Sequence, residues 1–401
     1  MNGTARIDVS REQVLRYRVA AHGFDRASPT PGVLVLGVQD TPHGSAPVAL
    51  AARGASSGAL ERVWSFRGAP HLHRRTELAA LAAALWPLDD ADATARISTS
   101  AIKEGAKLGL AAFRVTAEAF RRTVVEPLGK GEVSTAVSAA VPESLTYWCT
   151  PCGARHISGL LFQQAGLFGS VRVGTERGKT VLSPLASPFP VPETASGTQD
   201  LIRAYLRFLG PATRAEVAGF LGTRPTAIRP VWPEGLVEVS VDGASAWLPE
   251  SEAEALRGAP RAGTVRLLPP GDPFLQARDR SLLLPEKDRQ KELWRAIGGP
   301  GAVLAGSEIV GTWRARSAGR RVELTVTGFD TLSASVRRAL ETEAQTVAEV
   351  RGAKEALLRI EWTAGPWAAV AVRVRWSRAS RGGWASSSPA PPAPGGRGST
   401  G

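Results

Sequence analysis

Cysteine is scarce: only Cys149 and Cys152 occur in 401 residues. One pair cannot make a disulfide framework, and a chain that uses so little cysteine is expected in a reducing compartment. The opening stretch, MNGTARIDVSREQ, has no apolar core of the kind a secretory signal needs. No uncharged apolar run reads as a membrane span. The expected location is therefore the cytoplasm, or the nucleoid if the chain binds DNA. Also absent, in any suitable context, are a P-loop, a dinucleotide-binding glycine fingerprint, an H-E-x-x-H helix and a G-x-S-x-G elbow. Nucleotide-dependent, metalloprotease and serine-hydrolase chemistries have no support, and no cofactor is expected.

What the chain does have is positive charge. Its net charge is +12 and its pI about 10.5, which suits a polyanion such as DNA and favours salt-sensitive association. The same excess also fits a basic surface with no nucleic-acid role. With 43% hydrophobic and 21% charged residues the composition is that of an ordinary soluble protein. The length exceeds what one simple core usually holds, so several units are expected.

Hydrophobic periodicity and turn residues suggest an α+β chain. Ser10 is placed to cap a helix with an apolar stripe at Val14, Leu15 and Val19. ALERVWSFRGAPHLHRRTEL reads as a hairpin turning at Arg67–Pro70, followed by a helix from Glu77 to Trp86. Residues 97–140 read as helices. HISGLLFQQAGLF gives an apolar helix and SVRVGTERGKTVLSP two strands. Helices are expected at Leu201–Leu209, Thr213–Leu221 and Arg224–Val231, then a hairpin turning at Asp242-Gly243. Three helices and a hairpin are the order of a winged helix, although a generic small α+β unit has the same pattern. The last third is richer in strands, with a meander turning at Gly306 and Gly319 and a helix from Ser333 to Val350. The expected division is 1–132, 133–195, 196–260, a β-rich unit at 261–376, and a Pro/Gly/Ser/Arg tail at 377–401 that is disordered by composition. Arg381 and Arg397 in that tail could touch DNA weakly.

Several clusters carry potential chemistry. Arg67, His71, His73, Arg74 and Arg75 lie together on one hairpin, which could enter a groove or form a solvated turn. Arg224, Thr226 and Arg229 lie on the candidate recognition helix. Cys149-Thr-Pro-Cys152 with His156 has the spacing of half a zinc site. Structural zinc wants four ligands and no second cysteine pair exists, so no metal is expected. A redox role lacks its βαβ context. DPFLQARDR (272–280) is expected to form a structural ion-pair loop between domains. The 11 tryptophans read mostly as core. GVQDTP taken alone is a turn, with Asp40 able to cap the helix that follows.

Five blocks in order resemble the AlkZ/AlkX group of DNA glycosylases: LGVQDTPHGSAPVALAAR (36–53), SFRGAPHLHR (65–74), GPATRAEVAGFLG (210–222), LLPPGDPFLQARDRSLLLP (267–285) and AGSEIVGTWRAR (305–316). The resemblance covers most of the chain from about residue 7 to 330 and implies tandem winged-helix units around a basic concave surface, with a β-rich domain toward the C-terminus. It further implies excision of alkylated purines from double-stranded DNA, with no membrane or nucleotide cofactor. The family's catalytic motif is Gln-x-Gln or Gln-x-Asp. Gln39 falls on the first glutamine, Asp40 on the middle position and Thr41 on the last; a one-residue shift would make Asp40 the acid. The implied roles are a water held by Gln39, activation of it or stabilisation of the sugar cation by Asp40, and a supporting hydrogen bond from Thr41. Arg53 closes the block and could hold a phosphate, and the 67–75 hairpin would probe the duplex. The alternative is a non-catalytic winged-helix DNA-binding or regulatory protein.

Overall fold

Local signals set most elements in the computed structural model, which describes residues 6–362 and 374–375. After the short strand β1 (Ile7–Val9), the Ser10 hydroxyl accepts from the Gln13 N–H and starts α1 (Arg11–Ala21). The apolar run that follows is too short for a helix and takes a tight 3₁₀ turn at Gly32–Leu36. Then come β2 (Val38–Gln39), α2 (Ser45–Ala51), β3 (Leu60–Trp64) and β4 (Pro70–Arg74). They form an antiparallel sheet of order β2-β4-β3, and α3 (Leu78–Leu85) and α4 (Asp90–Ile97) follow.

The next stretch contains α5 (Leu110–Thr123), β5 (Leu128–Gly129), α6 (Lys130–Ala140), β6 (Thr146–Cys149), β7 (Ala154–Ile157), α7 (Gly159–Ala165), β8 (Val171–Glu176) and β9 (Lys179–Pro184). Strands β5, β9 and β8 make one sheet in that order, while β6 and β7 pair only with each other. Beyond it lie α8 (Thr198–Leu209), α9 (Arg214–Leu221), β10 (Leu236–Val241), β11 (Ala244–Pro249) and α10 (Ala253–Arg257). Thr213 and Glu216 form a reciprocal capping box at the start of α9. The helix expected at Arg224–Val231 does not form; the segment is a run of turns. Pro225 and Pro230 each lack an N–H and leave too few residues between them for a stable turn of helix. The sheet of this region also recruits β1, which pairs in parallel with β10 from the far end of the chain.

The remainder comprises β12 (Val265–Leu268), α11 (Arg280–Leu283), α12 (Lys287–Leu293), β13 (Gly301–Ala305), β14 (Glu308–Ala318), β15 (Arg321–Gly328), α13 (Ala334–Val350), β16 (Glu355–Trp362) and β17 (Val374–Arg375). Strands β12 to β17 form a six-stranded sheet in sequence order. It is antiparallel except where α13, capped by Ser333, carries the chain over to lay β16 parallel to β15. The tail at 377–401, with Arg381 and Arg397, lies outside the described residues.

The buried side chains form several clusters, one of them between α13 and the six-stranded sheet. Another runs from Leu15 in α1 to Phe329 after β15. Two buried ion pairs stitch it together, and both carboxylates come from the 272–280 loop. Arg53, fully buried at the end of α2, meets Asp272 in a fork, with both N···O distances 2.8 Å. The guanidinium also donates to the Ala49 carbonyl and to His22 Nδ1, and stacks over Phe24 at 4.4 Å. Arg18 grips Asp279 in the same way, at 2.6 and 3.0 Å, and binds the Gly210 and Pro211 carbonyls. Removing one partner of such a pair leaves an uncompensated buried charge. Arg53→Ala or Asp272→Ala is expected to lower unfolding free energy by about 3–5 kcal/mol, while Arg53→Met with Asp272→Leu recovers most of that loss. Urea denaturation of the three variants checks this; equal destabilisation by the double variant would refute it.

Candidate active site

The motif turn leaves the sheet at the end of β2, where Val38 and Gln39 pair with Leu72 and His71 of β4. The Asp40 N–H donates to the Pro70 carbonyl, so the chain turns away from the sheet at a fixed point. Asp40 is 5% exposed, and its carboxylate is fully engaged. Oδ1 accepts from the N–H groups of Gly44 and Ala46, at 2.8 and 3.1 Å, at the start of α2. Oδ2 accepts from Arg62 Nη1 and lies 2.9 Å from His43 Nδ1. Burial pushes the carboxyl's pKa up, but the Ala46 N–H, the Arg62 guanidinium and His43 outweigh it and hold it below the usual range. Asp40 is thus an ionised carboxylate that braces a helix start, the role its turn sequence left open.

Gln39 differs in one respect. Its side chain is half-buried and makes no hydrogen bond among the described residues. It lies against the Pro269–Asp272 turn, where a Cβ built on Gly271 would come within 3.5 Å of the Gln39 carboxamide carbon and 3.2 Å of the Thr41 carbonyl. Gly271 has φ +79, a conformation that also favours glycine. The ion pair of Asp272 with Arg53 holds this turn in place, so the loop after β12 forms one wall of the Gln39 site. Thr41 and His43 are exposed. Arg62 of β3 touches both Asp40 and His43 and continues to the Val173 carbonyl and Thr175 Oγ1 on β8. Sequence reasoning missed His43 and Arg62. The Asp40-x-x-His43 spacing was a usable signal for the first; nothing local pointed to the second.

The expected DNA contacts separate into two groups. Arg53 is buried in its ion pair and has no surface to offer a phosphate. His71 and His73 are each 2% exposed, because β4 is the central strand and alternate residues on it face inward. Arg67 also turns inward, donating to the Phe220 carbonyl and to Gln276. The hairpin tip around it packs on α7 and α9, with Phe66 and Phe220 ring centroids 4.7 Å apart. This end of the hairpin fills the interior rather than entering a groove. At the other end Arg74 pairs with Glu77 and Arg75 with Glu61, both near the surface. Arg224 and Arg229 are exposed.

The AlkZ-like family pattern, described as DNA glycosylase AlkZ-like, matches residues 38–350, beginning one residue before Gln39. The chain belongs to the AlkZ-like DNA glycosylase family. The AlkZ-like chain also resembles the solved structure of Streptomyces sahachiroi DNA glycosylase AlkZ, with 21% identity and a TM-score of 0.66 over 88% of this chain and all of that one. At that identity the likeness is one of fold. No curated protein matches.

The inward histidines give this AlkZ-like chain a distinct acid sensitivity. Burial holds His22 and His71 well below the usual range, with the Arg53 charge adding for His22 and His73 adding for His71. Burial alone lowers His73 to about 3. All three are neutral when folded and take up a proton when unfolded below about pH 6.5. Their stabilisation is complete above that pH and is lost as pH falls toward the folded values. Between about pH 6 and 5 the unfolding free energy should drop by roughly 3–4 kcal/mol, the slope of more than two protons. Denaturant titrations at these pH values measure it; a slope under one proton would show that the rings are not held neutral.

Proposed function

We propose that the chain is a monofunctional DNA glycosylase that hydrolyses the base–sugar bond of alkylated purines in double-stranded DNA. Alkylation of a ring nitrogen makes the base a cationic leaving group, so the protein must supply a positioned water and tolerance of an oxocarbenium-like sugar. The carrying observation is Gln39: a half-buried carboxamide with no hydrogen-bond partner among the described residues, at the edge of a site whose neighbour, Asp40, is ionised. A carbonyl acceptor and an NH₂ donor suit it to orient a water. Asp40 then acts by its negative charge facing the developing cation, since its oxygens are already occupied. His43, exposed above it, is placed to accept the water's proton. Thr41 adds a hydrogen bond at the rim.

The DNA face is proposed to run over Arg74, Arg75, Arg224 and Arg229, with phosphates meeting the +12 net charge. The order α5-β5-α6-α7-β8-β9, interrupted by β6 and β7 between α6 and α7, with sheet order β5-β9-β8 supports reading residues 110–184 as a winged helix that starts before the expected boundary at 133, and α8, α9, β10 and β11 support a second. No helix among the described residues is long and apolar enough to cross a membrane, and a cytoplasmic, nucleoid-bound protein is the proposed setting.

One observation favours the alternative of a non-catalytic DNA-binding protein: Thr41 stands at the last motif position and the Asp40 carboxylate has no free lone pair for water. The two readings part in one experiment, base release from a duplex carrying N7-methylguanine. On the glycosylase reading Gln39→Ala lowers the single-turnover rate about 100-fold or more while duplex affinity stays within about 2-fold. Asp40→Asn also lowers it, with a loss of stability. Salt-sensitive duplex binding without release of this or bulkier alkylated bases would favour the non-catalytic reading.

A further inference from the structure

The hairpin β6–β7 is an insertion between α6 and α7 that pairs with no other sheet among the described residues. Two strands of four residues are marginal by themselves in water. At its tip, Cys149-Thr-Pro-Cys152 closes a tight turn that Gly153 ends in the left-handed region, φ 60, with its N–H donating to the Cys149 and Thr150 carbonyls. The strand register sets Tyr147 opposite His156 and Cys149 opposite Ala154, so Cys149 and His156 lie diagonally on one face. The ligand atoms of Cys149, Cys152 and His156 all fall within 4.8 Å of one another. His156 Nε2 is buried and has no hydrogen-bond partner. A buried imidazole nitrogen without a partner is costly, and here two thiols stand beside it.

We propose that this hairpin binds a zinc ion through Cys149, Cys152 and His156, independently of any glycosylase activity. Two thiolates and an imidazole are the donor set zinc favours, and zinc bonds of about 2.0–2.3 Å place such ligands under 4 Å apart, a small contraction from the present spacing. Among the described residues no fourth His, Cys, Asp or Glu joins the cluster, so the fourth position is solvent's. Binding releases the two thiol protons and satisfies the imidazole nitrogen. The base of the hairpin is already packed on α6 through Ile157, and the ion would staple its exposed tip. It thereby fixes Trp148, which is 60% exposed on the opposite face beside Arg155. The turn-forming Pro151 and Gly153 preorganise the loop for the metal.

The test uses the full-length protein, purified under reducing conditions, incubated with zinc and desalted. About one zinc per chain is expected by elemental analysis, with none in the Cys149→Ser/Cys152→Ser variant. Cobalt in place of zinc should give thiolate charge-transfer bands and strong tetrahedral d–d bands. His156→Ala should weaken binding, and His156→Cys should restore it with a stronger thiolate band. Circular dichroism of each variant separates loss of the site from loss of the fold. The proposal fails if wild type with both thiols reduced binds no zinc, or if the double cysteine variant keeps its metal. It fails equally if the two sulfurs are joined in a disulfide when the protein is isolated anaerobically.

Discussion

Burying a guanidinium and a carboxylate removes two charges from water, and a closely matched fork with further hydrogen bonds offsets that cost. Arg53 and Asp272 form such a fork, with Ala49 and His22 accepting from the two terminal nitrogens and Phe24 beneath the guanidinium, while Nε has no partner among the described residues. The pair ties the end of α2 to the turn after β12, across 219 residues of chain. Because that turn carries Gly271 against Gln39, the geometry of the candidate site depends on it. Arg18 and Asp279 repeat the arrangement a few residues further along the loop. The loop is less a connector than a seam that joins the N-terminal units to the β-rich end.

The electrostatics around the motif divide the work between neighbours. Asp40 is kept ionised by backbone N–H groups and Arg62, which makes it a poor proton acceptor but a persistent negative charge. That suits the proposed reaction, in which the base already carries positive charge and the sugar develops more. Gln39 keeps its polar atoms free, and His43 reaches solvent beside it. Behind them, His71 and His73 sit neutral in the interior, so the hairpin whose sequence suggests a cationic probe packs inward at its tip, where Arg67 is spent on the Phe220 carbonyl and Gln276. Charge on a hairpin in sequence says little about where that charge points once its central strand is covered on one face.

Where the linear reading succeeded, it rested on local physics. Ser10, the Thr213–Glu216 capping box and Ser333 mark helix starts that need only neighbours a few residues away. Asp242-Gly243 makes its hairpin because both residues take positive φ there. The 272–280 ion-pair loop was legible from its two acids, whose buried partners Arg53 and Arg18 were not; Arg278 and Arg280 form no ion pair among the described residues. No helix forms at 224–231, because Pro225 and Pro230 each lack an N–H and leave too few residues between them for a helical turn.

The sequence by itself determined most of the elements, the α+β class, the basic charge and the motif at Gln39–Thr41, since each depends on interactions within a few residues or on composition. Tertiary structure alone decided which side chains face inward and which meet. It buried Arg53, His71 and His73, turned Arg67 inward, and brought Arg62 to Asp40 and Asp272 to Arg53. Side-chain direction in a strand reverses with each residue, and partners hundreds of positions apart leave no local pattern, so only the packed chain fixes them.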